Sequence, residues 1–207
     1  MTDEEMLSDL EANKRDHKVE ITDVAISKVP YIEYKEIPED CYKTLQELAR
    51  MVLILSKENN NCEETAITYS LDAPELVIDG EECMTVSYGD AHSVDPLQST
   101  LANHLVVTAR GCVVIILHNH PNRSKISLQD VSYLFRFASI KMIVAVTNTG
   151  SVNYIVKTDK YNRLGAMKLF YEALEQLKKA GNLKEIQDAT DKFLNNCYQY
   201  GMLFEMH

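Results

Sequence analysis

The chain has 207 residues, 45% hydrophobic and 25% charged, which is enough apolar material for one sizeable core and excludes a disordered tail protein. Its 21 basic and 31 acidic side chains give a formal charge of −10, and the basic residues gather in no stretch of sequence; this argues against a nucleic-acid partner and favours a protein or peptide substrate. The five cysteines are scattered without a Cys-x-x-Cys pair, no apolar run approaches the roughly 20 residues of a membrane-spanning helix, and the chain opens without an apolar leader, so a reduced, cytoplasmic setting with no membrane is expected.

Residues 1–37 are charge-rich with short apolar clusters and read as an N-terminal arm. After Pro38, Leu45, Leu48, Ala49, Val52 and Leu55 recur at spacings of three and four, predicting a helix with one buried face that ends in the polar Lys57 to Asn61 break. Ala66 to Leu71 and Glu75 to Ile78 read as two strands joined by a short turn at Asp72-Ala73-Pro74, with a third strand over Met84 to Tyr88. Asp95-Pro96 resembles a helix start, with Gly111 closing that helix. Cys112 to Leu117 is continuously apolar and β-branched, as in a central strand covered on both faces, and Cys112 is expected to be one of its small buried hydrophobes. A helix from Ser127 and a β-hairpin of Lys141 to Thr147 with Val152 to Lys157, turned at Asn148-Thr149-Gly150, complete an α/β unit over residues 38–160. Residues 161–207 carry two helical stripes separated by Gly181-Asn182, a C-terminal helical hairpin that is also a candidate surface for homo-oligomer formation. The expected class is therefore α/β, a mixed β-sheet flanked by helices with a helical hairpin appended.

The most informative stretch is His118-Asn119-His120-Pro121, where the central strand ends. Histidines at i and i+2 of a strand project from one face, so both imidazoles can converge on one ion at Zn–N distances of about 2.0 to 2.1 Å. Pro121 cannot continue a sheet ladder and leaves the pair at the strand's carboxyl end, where open α/β sheets place ligands. Asp130, in the first turn of the next helix, is the candidate third ligand, and three protein ligands plus a water describe a catalytic zinc. Ser127 is placed to donate to an oxyanion, although Ser127 and Asp130 also read as a helix cap with an acidic residue at the third position; the two roles are compatible. Glu64, at the start of the neighbouring strand, is the candidate base. His-Glu-x-x-His and Pro-Cys-x-x-Cys are absent, which removes the helical zincins and the zinc deaminases; His92 and His104 read as loop and helix-surface residues.

Glu, then His-x-His, then Ser-x-x-Asp resembles the motif of the JAMM metalloprotease superfamily, and His-Asn-His-Pro resembles its RadC-like, JAB-domain branch. The similarity spans about residues 62–157. It implies a cytidine-deaminase-like α/β/α sandwich, zinc held by His118, His120 and Asp130, Glu64 as the base and Ser127 as the oxyanion donor. Glu64 is preferred to Glu63 because the family's interval to an aspartate after the strand is kept between Glu64 and Asp72. The chain departs from the family in four places, the first being Val94-Asp95-Pro96-Leu97-Gln98 where RadC-like proteins read Val-His-Pro-Arg-Glu before the preceding helix. The loop from Pro121 to Ile126 is one residue shorter, the glycine usual after the second histidine is replaced within Asn122-Arg123-Ser124, and the Asp-His pair of the final RadC hairpin is missing. The implied activity is a zinc-dependent hydrolase of a peptide, isopeptide or other amide bond using a metal-activated water. The alternatives are a catalytically silent interaction module of the same fold and, behind it, a DNA-repair-associated protein of the RadC type.

Overall fold

The computed structural model describes residues 18–76, 78–79, 82–121 and 124–207. Strands β1 (Thr65–Ser70), β4 (Val86–Tyr88), β5 (Val114–His120), β6 (Ile140–Thr147), β7 (Val152–Lys157) and β8 (Met202–Met206) form one sheet in the order β4-β1-β5-β6-β7-β8; β2 (Ile78–Asp79) and β3 (Glu82–Cys83) pair separately. The sheet is mixed: β5 and β6 run parallel, connected through α4 (Leu128–Arg136), and the other neighbours are antiparallel. One face is covered by α1 (Asp23–Lys28), α2 (Tyr42–Asn59) and the segment between them, the other by α3 (Thr100–Thr108), α4, α5 (Arg163–Lys179) and α6 (Leu183–Asn196). This is the expected α/β class with a C-terminal helical pair. No helix among the described residues is long and apolar enough to cross a membrane.

Strand alternation sorts the core. Val114 and Ile116 of β5 join the cluster under α3 to α6, whereas Ile115 and Leu117 join the one under α2. His118 and His120 continue the first series and Asn119 the second. In β1, Ile67 and Tyr69 face α2, and Ala66 pairs with His118. The β6–β7 hairpin turns at Gly150, whose φ of 92° is left-handed and whose missing Cβ would lie 2.3 Å from the Ala25 carbonyl oxygen, so only glycine lets α1 approach.

Several local expectations are corrected. Asp95 does not start a helix; its carboxylate accepts the Leu97 N–H (3.0 Å) and its carbonyl that of Gln98 (3.1 Å), closing a turn, and α3 begins after Ser99, which caps it, and ends at Thr108 before Gly111. The stretch 75–78 does not pair with β1: Pro74–Leu76 is a 3-10 turn, and β1 lies between β4 and β5. Cys112 is exposed and precedes β5, because the ladder starts only at Val114. Residues 161–207 supply β8 as well as two helices. The first 17 residues of the arm, Val77, Gly80, Glu81 and Asn122-Arg123 lie outside the described residues.

Candidate metal centre

β5 stays paired to its last residue: His118 lies opposite Ala145 and His120 opposite Thr147, so the histidine backbones are fixed by β6. The side chains emerge toward α4 and are buried, His118 3% and His120 0% exposed. Their Nε2 atoms are 2.8 Å apart. The first turn of α4 brings Asp130 against both, with Oδ1 3.2 Å from His118 Nε2 and Oδ2 3.3 Å from His120 Nε2. These three residues are a group whose ligand atoms lie within 4.8 Å of one another.

Asp130 is held by the helix it starts. Ser127 is the N-cap of α4 and forms a reciprocal capping box: its hydroxyl accepts the Asp130 N–H (3.0 Å), and Asp130 Oδ2 accepts the Ser127 N–H (2.8 Å). The Ser127 hydroxyl also donates to Oδ2 at 2.7 Å. Burial opposes ionisation of Asp130, but the charge and hydrogen bonds of His118, with those of His120, hold its carboxyl well below the ordinary carboxylate range. On the far side of His120, Nδ1 is met by the Ser124 carbonyl oxygen (3.1 Å) and hydroxyl (3.0 Å), which fixes the ring with Nε2 facing the cluster.

The donor set fits a divalent transition metal. Two ligand atoms each about 2.0–2.1 Å from a tetrahedral ion stand about 3.3 Å apart. Each imidazole stands at about that spacing from one of the two Asp130 oxygens, His118 from Oδ1 and His120 from Oδ2, and the Nε2 pair needs to open by about 0.5 Å. Two imidazoles and a carboxylate are donors that zinc, iron(II) and copper(II) all accept. Beside the cluster lies a narrow pocket lined by Ala66, Ile116, His118, Asp130, Tyr133 and Ile143, with room for about one water.

Of the residues singled out in the sequence, His118, His120, Asp130 and Ser127 are thus brought together. Glu64 is 3% exposed and immediately precedes β1. The β1–β5 ladder ends at the Ala66–His118 pair; Ala66 lines the pocket beside His118, and strand alternation puts Glu64, two residues before it, on that same side, with Glu63 on the other. His104 is exposed on α3, and His92 lies in the loop after β4, as expected.

Sequence reasoning missed the buried amides behind the histidines. The polar break at Asn59 to Asn61, the residue between the two histidines and the hairpin turn at Asn148 all contribute to one network. The only signal was a polar residue inside a fully buried strand end. The N-terminal segment docks on the same end: the Val19 N–H donates to the Pro121 carbonyl (2.7 Å), and Asn148 Nδ2 donates to the Val19 carbonyl (2.7 Å). Compared with protein-family models, curated proteins and solved structures, the chain matches none.

Proposed function

We propose that the chain is a metal-dependent hydrolase of peptide, isopeptide or other amide bonds, with zinc held by His118, His120 and Asp130. The convergence of His118 Nε2, His120 Nε2 and the Asp130 carboxylate at a strand end carries this reading. A zinc ion held there supplies Lewis acidity to a carbonyl oxygen and to a neighbouring water. Glu64, on the histidine face, is the base that takes the water's proton on its carboxylate and passes it to the leaving amine. Asp130 needs its ionised state to serve as a ligand, and the two imidazoles favour that state. The Ser127 hydroxyl, whose proton is directed at Asp130 Oδ2, would donate to a substrate oxyanion by rotating that proton away from the carboxylate. The resemblance to the JAMM motif supports the same assignment, and the charge of −10 favours a protein or peptide substrate in the cytoplasm over nucleic acid.

A second reading, the silent interaction module, is favoured by one observation: the Ser127 hydroxyl is committed to Asp130, and the adjacent pocket has room for about one water. Elemental analysis of purified protein tests the metal. One equivalent of zinc, falling to background in a His118→Ala, His120→Ala variant, is the expected result; a content unchanged by those substitutions overturns the site. With zinc present, hydrolysis of fluorogenic peptide and isopeptide libraries that disappears in Glu64→Gln separates the hydrolase from the silent module.

A further inference from the structure

Asn119 stands between the two histidines, but its side chain leaves β5 on the opposite face and is fully buried. There its Oδ1 accepts the Thr65 N–H at 2.7 Å, and its Nδ2 lies 3.1 Å from the Glu63 carbonyl oxygen, 2.8 Å from Asn148 Oδ1 and 3.2 Å from Ser56 Oγ. The first two contacts are with the peptide groups on either side of Glu64. A paired strand residue would hold those groups with its own backbone; here one side chain does so where the β1–β5 ladder has ended. On the outer edge, the Glu64 N–H donates to the Asp90 carbonyl (2.9 Å), and the Glu64 carbonyl accepts the Gly89 N–H (2.8 Å) and Asn60 Nδ2 (2.8 Å). Both peptide groups flanking Glu64 are therefore gripped from two sides.

The approach to this point is also constrained. Asn61 and Cys62 both have left-handed backbones, φ 49° and 59°, a conformation that is unfavourable for residues with a Cβ and persists only where the surroundings impose it. The Cys62 carbonyl accepts Asn148 Nδ2 (2.9 Å), and the Glu63 carbonyl also accepts the Ser56 hydroxyl (2.7 Å). Three successive carbonyls, of residues 62, 63 and 64, are thus each bound to an asparagine amide. So much buried hydrogen bonding around one short segment fixes a position more tightly than a terminal strand residue ordinarily is.

We infer that Asn119 is a positioning residue: from the back of the sheet it clamps the backbone of Glu64 to the strand that carries His118 and His120, and so sets the base relative to the metal. This rests on the proposed metal-dependent reading and deepens it.

Cobalt(II) titration with visible absorption tests it. Wild-type protein is expected to bind one equivalent, and Glu64→Gln to change the intensity of the cobalt bands by altering the polar surroundings of the ion. Asn119→Ala is expected to keep the stoichiometry and the binding constant within about threefold, because the three ligands lie on the other face, yet to reproduce the Glu64→Gln spectrum. The double variant then adds nothing further. Asn119→Ser provides the same comparison if the alanine variant does not fold. Asn148→Ser, which loosens the same network without releasing the peptides around Glu64, is expected to leave the spectrum as in wild type. An unchanged spectrum in Asn119→Ala and Asn119→Ser, additive effects in the double variant, or an equal change in Asn148→Ser overturns the inference while the metal site stands. If wild-type protein binds no cobalt, or Glu64→Gln leaves the bands unaltered, the underlying reading falls and the inference with it.

Discussion

The two ends of the central sheet bury polar groups in opposite ways. At the carboxyl end of β5, His118, Asn119, His120 and Asn148 are nearly or fully inaccessible, and each is tied to side chains or carbonyls from other elements. At the other end Lys157, 3% exposed on β7, has its ammonium 3.2 Å from one carbonyl oxygen, that of Phe137, and 5.2 Å from the centre of the Tyr161 ring, and the buried Tyr161 hydroxyl has no hydrogen-bond partner. Burial pushes the Lys157 ammonium down to about 8. The contrast separates two meanings of a buried polar residue. A connected network fixes geometry, whereas a solitary buried charge chiefly lowers stability.

Removing both histidines should have the largest effect at the polar end, weakening zinc binding by more than about a thousandfold by competition with a chromophoric chelator. Asn119→Ala should follow, lowering the unfolding free energy by about 3 kcal/mol in urea titrations, since it strands the Thr65 N–H and weakens the hold on Glu63. Lys157→Met should act in the opposite direction and raise stability at pH 7 by about 1–3 kcal/mol. The pH dependence has a definite sign. The unfolded lysine keeps its proton to about 10.5, the folded one releases it near 8, and the unfolded chain therefore binds more protons between those values. Wild-type stability should accordingly gain a rising contribution over pH 8 to 10.5 that is absent from Lys157→Met. Ser127→Ala should cost about 1 kcal/mol through loss of the cap on α4. The smallest change is expected of Ser124→Ala, which should weaken zinc binding by no more than about threefold, because it removes the hydroxyl beside His120 Nδ1 but keeps the Ser124 carbonyl there. A stabilising Asn119→Ala or a destabilising Lys157→Met would erase the distinction between the two ends.

The elements with strong local signals were legible in the sequence. β5 announced itself by an unbroken apolar run, the β6–β7 hairpin by its turn, and the start of α4 by Ser127 and Asp130 at cap spacing. The clustering of His118, His120 and Asp130 was legible because strand and helix periodicity place them within a short stretch of chain. Asp95 misled because a capping side chain closes an isolated turn as readily as it starts a helix, and the neighbouring Ser99 wins the cap. β8 was missed because Met202–Met206 has neither β-branched residues nor clean alternation; its pairing with β7 makes it a strand. The asparagine network was out of reach for a different reason. Asn119 meets partners 54, 56 and 63 positions earlier and 29 later, so no local pattern records it.

The alternation of β5 also has an evolutionary consequence. Within His118-Asn119-His120, the outer two residues face Asp130 and the middle one faces the other side of the sheet, where it both holds the backbone of Glu64 and ties β1 to β5. Loss of metal chemistry would therefore lift the whole constraint on the histidines and only part of that on the asparagine. A descendant that abandoned metal chemistry could exchange both histidines for apolar residues while its asparagine persisted, held by the packing of β1 against β5. Its lineage would then be recognisable by a solitary buried asparagine at the end of an apolar strand.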